Sequence, residues 1–61
     1  MQKHSRDELM RRIRKMEEFF IIPWDAISDY DRDMLNVYYD KLVKDLRKNY
    51  SEKQVHAILF R

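Results

Sequence analysis

The chain has 61 residues, of which 39% are charged and 44% are hydrophobic, with one proline and neither glycine nor cysteine. All-β folds need turn residues at short intervals, and small stapled scaffolds need disulfides or metal sites, so this composition excludes both and favours helices. The formal net charge is +2, and it is the sum of charge blocks of opposite sign.

The length predicts a single helical domain over residues 1–61. A domain of this size buries only about 60% of the surface that its unfolded chain exposes, so we expect marginal stability. Self-association is a common way for so small a chain to bury more apolar surface. We therefore expect a homodimer.

A first helix is predicted over about residues 5–20. Ser5 and Glu8 have the spacing of a capping box, in which two side chains satisfy backbone amides at the helix start. Pro23 ends the pattern, because the residue before a proline avoids helical angles. Apolar residues at intervals of four, three and four form one stripe on this helix: Leu9, Ile13, Met16 and Phe20.

A second helix is predicted over about residues 29–48. Ser28 and Asp31 repeat the capping-box spacing, and the aspartates around them are favoured at a helix start by its dipole. Positive charge follows in the last turns, where the dipole favours it. The apolar stripe has the same intervals as before: Leu35, Tyr39, Leu42 and Leu46.

A short third helix is predicted over about residues 52–60. Ser51 and Gln54 form a third capping-box spacing, and Val55, Ile58 and Leu59 follow at helical intervals. The first two predicted helices, joined by a short connector, are expected to form an antiparallel hairpin. The predicted fold is therefore all-α, a small three-helix bundle made of this hairpin and the third helix, and dimeric.

The second predicted helix carries another apolar row on its back. Tyr30, Met34 and Val37 follow at intervals of four and three, and Tyr38 lies between the two rows. Either the other two helices flank this helix, or the row contacts another chain. Trp24 in the connector either covers the core or contacts a partner. The candidate partner or dimer interface comprises Tyr30, Met34, Val37, Tyr38 and Trp24.

The charges fall into three blocks. Residues 1–16 carry +4, residues 17–40 carry −6 and residues 41–61 carry +4. In an antiparallel hairpin the basic start of the first helix would lie beside the basic end of the second, which gives a basic pole containing Arg11, Arg14 and Lys15. Such a pole could steer an antiparallel dimer, contact phosphates or be an ordinary solvated surface.

No residue pattern predicts chemistry. Asp29, Asp31 and Asp33 have the spacing that starts a calcium-binding EF-hand loop, but Met34 occupies the position where that loop needs glycine. The usual nucleophile, base, metal and phosphate-loop patterns are absent from the sequence. We therefore expect no enzymatic activity, no catalytic, cofactor-binding or metal-binding residues, and no small-molecule substrate.

The sequence favours a small interaction protein, a bacterial or phage regulator that binds a larger protein and modulates its activity. The alternative is weak, sequence-independent nucleic-acid binding through the basic pole, or an accessory role in a protein–DNA complex. Residues 50–59 resemble the first helix of a helix-turn-helix unit in bacterial regulators, but the sequence contains no recognition helix after it. The longest apolar run, residues 19–22, is far shorter than a membrane span, so we expect a cytoplasmic protein without a membrane partner.

Overall fold

The computed structural model describes residues 5–60, and 71% of these residues are helical with no β-strand among them. The all-α prediction is therefore confirmed. None of the helices in this part of the chain combines the length and the apolar character needed to cross a membrane. The described residues contain α1 (Arg6–Lys15), α2 (Trp24–Ile27), α3 (Arg32–Asn49) and α4 (Glu52–Leu59).

The first helix starts as its sequence predicts and ends earlier. The Ser5 hydroxyl oxygen accepts a hydrogen bond from the Glu8 amide at 3.2 Å, which caps α1. After Lys15 the backbone amides of Met16 and Glu17 bond to carbonyls three residues back, at 2.9 and 3.2 Å. This tighter hydrogen bonding ends α1 at Lys15 rather than near residue 20.

The connector contains the short helix α2, which the sequence patterns did not indicate. Ser28 belongs to the end of this helix, where its hydroxyl donates to the carbonyl of Asp25 at 2.8 Å. The cap of α3 is instead Asp31, whose carboxylate accepts from the Met34 amide at 2.8 Å. Since the side chain of Asp31 is the cap, α3 begins at Arg32, three residues later than the predicted start near Asp29.

The last helix has the capping box that its sequence predicts. The Ser51 hydroxyl accepts from the Gln54 amide at 3.3 Å, and the Gln54 side-chain oxygen accepts from the Ser51 amide at 3.0 Å. Two donors at the start of α4 are thereby satisfied. This local arrangement fixes where α4 begins, directly after the end of α3.

The contacts correct the predicted antiparallel hairpin of the first two long helices. The start of α1 lies beside the start of α3, and the segment after α1 lies beside the end of α3. Residues 16–31, which include α2, return the chain along α1, whereas the prediction assumed a short connector. Three contacts follow this parallel order: Arg6 Nε donates to the Tyr30 carbonyl (2.9 Å), Arg12 Nη1 to the Tyr39 hydroxyl (3.4 Å), and the Phe19 ring lies 5.6 Å from the Tyr50 ring.

One apolar core lies between α1, α3 and α4. The inner face of α3, which we define as Leu35, Tyr39, Leu42 and Leu46, is buried there. No polar or charged residue of the described chain is buried. Val43 of α3 is also buried, and the buried residues of the other segments are Leu9, Ile13, Met16, Ile22, Ile27, Val55, Ile58 and Leu59.

Candidate functional site

An open apolar groove lies on the outer side of α3, away from the core. It has a volume of about 310 Å³. Helical spacing explains its composition, because side chains three and four residues apart lie on the same side of a helix. We call it the α3 groove and define it by its lining residues, which are Tyr30, Met34, Val37, Tyr38 and Lys41.

The centre of the α3 groove is exposed. The side chains of Met34 and Val37 are 52% and 69% exposed, although both are apolar and lie inside an 18-residue helix. The other helices pack on the inner face, so within residues 5–60 neither α1 nor α4 covers these two side chains. This exposure corrects the interpretation in which the flanking helices bury the second apolar row.

A pair of tyrosine rings forms one wall of the groove. The rings of Tyr30 and Tyr38 are 6.5 Å apart and meet at 80°, an edge-to-face contact that aromatic pairs favour. Burial, and secondarily the neighbouring Tyr30, raises the pKa of the Tyr38 hydroxyl above its usual value. The backbone carbonyl of Tyr30 accepts from Arg6, which fastens this wall to the start of α1.

Lys41 is part of the groove, and the apolar pattern missed it. It lies four residues after Val37 and is exposed, so its aliphatic stem can line the groove while its ammonium group stays in water. A search restricted to apolar residues cannot find such a position. The spacing i, i+3, i+7 from Met34 through Val37 to Lys41 is the signal that could have found it.

Trp24 lies on a different surface from the α3 groove. It is partly buried in α2, and the Arg14 guanidinium carbon lies 5.8 Å from its ring centre, within the range of a cation–π contact. A second groove joins these two residues to Met10, Glu17 and Ser28. The candidate interface residues therefore fall into two separate places in the fold.

The three residues of the predicted basic pole make different contacts. Arg11 and Arg14 are exposed and share a small groove with Asp7, so their positive charges have a carboxylate beside them. Lys15 Nζ instead donates to the carbonyl of Leu59 at 3.3 Å, near the negative end of the α4 dipole.

Two further apolar side chains are exposed, and the sequence patterns did not single them out. Ile21 is fully exposed next to the buried Ile22, and Phe60 is 52% exposed at the end of α4. The Phe60 ring lies 4.5 Å from the His56 ring and 4.8 Å from the Arg12 guanidinium carbon. The Phe60 ring is therefore held between a neighbour on α4 and a side chain of α1.

The α3 groove is an open apolar surface. In residues 5–60 no group of three or more histidine, cysteine, aspartate or glutamate side chains is placed to hold a metal ion. Comparisons with protein-family models, with curated proteins and with solved structures find no match to this chain.

Proposed function

We propose that this chain is a non-enzymatic interaction protein that binds another protein through the α3 groove. One observation carries the proposal: α3 keeps an apolar row exposed on its outer side while a separate row completes the core. A surface helix needs only one apolar face to stay folded. The second row is therefore available for binding.

The residues of the groove are suited to recognition. Fully burying a side chain of the size of Val37 or Met34 contributes about 1.5–3 kcal/mol, and more than half of each side chain is still exposed. Tyrosines are common energetic centres of protein interfaces, because they combine a large apolar ring with a polar hydroxyl. The Tyr30 and Tyr38 rings already support each other, so little ordering would be needed on binding.

The groove favours a helix as the bound element. It follows one helix of this chain, and side chains of a second helix at three- and four-residue intervals fit between those of the first. The partner class of this proposal is therefore a protein that presents such a helix. It includes a larger protein whose activity changes on binding, and it includes a second copy of this chain.

Nucleic-acid binding has less support from the geometry. Phosphate contacts need clustered cationic side chains, whereas Arg11 and Arg14 share their surface with Asp7, and Lys15 donates to a backbone carbonyl. We expect at most weak, sequence-independent binding to duplex DNA. Titration of labelled duplexes of two unrelated sequences at physiological salt checks this, and tight discrimination between them would contradict it.

Photo-crosslinking in cells of the native host tests the proposed function. The photoreactive residue p-benzoylphenylalanine replaces Met34 in the α3 groove in one variant and the exposed Lys53 of α4 in a control. We expect a protein adduct at position 34 that is absent at position 53. Equal adducts at both positions, or none at position 34, would contradict binding through the groove.

A further inference from the structure

The outer side of α3 carries opposite charges on either side of Val37. Asp33 precedes Val37 by four residues and Lys41 follows it by four, so both lie close to its side of the helix. Lys44 and Lys48 continue the positive charge towards the end of α3, and all four charged residues are exposed. Asp33 also pairs with Arg32, and Lys48 with Asp45, each at 3.7 Å. Residues 29–40 nevertheless sum to −3 and residues 41–48 to +3, so the helix is acidic towards its start and basic towards its end.

This distribution is self-complementary in one orientation only. If two copies of α3 pack in opposite directions, Asp33 of each copy lies nearest to Lys41 of the other, and the lysines beyond it face the acidic segment before α3. If they pack in the same direction, aspartates face aspartates and lysines face lysines, which is unfavourable. Exposed ion pairs contribute only about 0–1 kcal/mol each, so they select the orientation more than they supply affinity.

We infer that the α3 groove is occupied by α3 of a second copy of this chain, packed antiparallel about a two-fold axis between Met34 and Val37. The inference rests on the proposed function, since it names the occupant of the same groove. A two-fold interface repeats each contact twice. Met34 of each copy packs against Val37 of the other, and Asp33 lies within reach of Lys41 of the other.

The overlap of the two helices sets the strength of this dimer. Since the two-fold axis lies near the start of α3 (Arg32–Asn49), only about eight residues of each helix overlap, roughly 12 Å at 1.5 Å per residue. So short a helix pair buries less surface than a standard interface of about 1,600 Å². Small interfaces of this kind are transient. We therefore expect a dimer that forms with a dissociation constant on the order of micromolar.

Charge exchange tests the antiparallel arrangement by sedimentation equilibrium. The wild-type chain should approach twice 7.7 kDa as its concentration rises. Lys41→Glu and Asp33→Lys should each weaken the dimer about ten-fold, a change of 1.4 kcal/mol. An equimolar mixture of the two variants should regain wild-type association, because both contacts in the mixed dimer again join opposite charges. Lys53→Glu, which makes the same charge change on α4, should leave association unchanged.

Three results would overturn the inferred dimer: a wild-type chain that stays at 7.7 kDa at every concentration, variants that associate as well as the wild type, or a mixture that does not recover. Far-UV circular dichroism shows whether each variant is folded. If Asp33→Lys loses helicity, the test uses Lys41→Glu alone, and its association is compared with that of Lys53→Glu. A monomeric wild-type chain that still crosslinks a different protein from position 34 would overturn the second copy as occupant and leave the proposed function standing.

Discussion

The two faces of α3 have the same kind of apolar spacing and opposite environments. On the inner face Leu35 and Leu46 are 0% and 1% exposed, whereas on the outer side Met34 and Val37 are 52% and 69% exposed. The difference comes from α1 and α4, which both pack on the inner face. Spacing thus identifies which side chains share a face, and the rest of the fold decides whether that face belongs to the core.

The largest expected effect is a difference in stability between alanine substitutions on the two faces of α3. Leu35→Ala removes a fully buried side chain and should lower the free energy of unfolding by about 2–5 kcal/mol, because it leaves a cavity in the core. Val37→Ala on the outer side should change it by less than about 0.5 kcal/mol. Urea denaturation followed by circular dichroism, at a concentration below the dimerisation range, measures both. Equal losses in the two variants would mean that the outer row also stabilises the monomer.

Removing the cap of α4, which packs on the inner face of α3, should have a smaller effect on stability. Ser51→Ala deletes both hydroxyl contacts at the start of α4 and should lower the free energy of unfolding by about 0.5–2 kcal/mol. Ser28→Ala is the control, since Ser28 only donates to a carbonyl at the end of the four-residue α2. Thermal unfolding compares the two variants, and an equal or larger loss in Ser28→Ala would contradict the importance of the Ser51 cap.

A charge at the centre of the outer side of α3 should weaken dimerisation without unfolding the chain. Val37→Glu buries no charge in the isolated chain, because residue 37 is exposed there, so helical content should remain. Its dimer should be weakened at least about ten-fold, since a carboxylate would have to lose water in the interface. Sedimentation equilibrium and far-UV circular dichroism measure the two properties. Loss of helicity at low concentration would show that the outer side supports the fold of the monomer.

The smallest expected effect is a shift in the titration of Tyr38. Burial and the nearby Tyr30 both raise the pKa of its hydroxyl, so the folded state holds this proton more tightly than the unfolded state. The resulting stabilisation is present below the unfolded pKa of about 10 and is lost as the pH rises through the folded pKa. Tyr30→Phe should lower the pKa of Tyr38 without returning it to the usual value, because burial, the larger cause, remains.

Carbon NMR of the tyrosine ring carbons measures the pKa of each tyrosine separately. Tyr50→Phe is the control, since the Tyr50 ring contacts Phe19 rather than Tyr38, and it should leave the pKa of Tyr38 unchanged. An unchanged pKa of Tyr38 in Tyr30→Phe would contradict the electrostatic contact between the two rings in the α3 groove.

Local signals predicted the existence of the three longer helices but not all of their ends. Ser5 and Ser51 cap helices at the positions that the spacing indicates, because capping depends on residues within one turn. Ser28 has the same spacing and ends α2 instead. The direction of α1 was predicted wrongly, since it depends on contacts between distant residues such as Arg6 and Tyr30, which no local pattern specifies.

The residues of the candidate site were likewise predicted only in part. The apolar row from Tyr30 through Met34 to Val37 was found by helical spacing, and Tyr38 lines the same groove. Trp24 was grouped with them by residue type alone, and the fold places it beside Arg14. Helical spacing relates residues of one helix only. The position of α2 relative to α3 depends on the path of residues 16–31, which return the chain along α1.

A dilution series of two-dimensional ¹H–¹⁵N NMR spectra tests most directly whether the outer side of α3 is where two copies meet. We expect the amide resonances of Met34, Val37 and Lys41 to move with concentration from the micromolar to the millimolar range, while those of Leu35 and Trp24 stay fixed. Resonances that do not move at any concentration would contradict the account. Concentration-dependent changes centred on Trp24 and Arg14 would also contradict it, by placing the contact on the other groove.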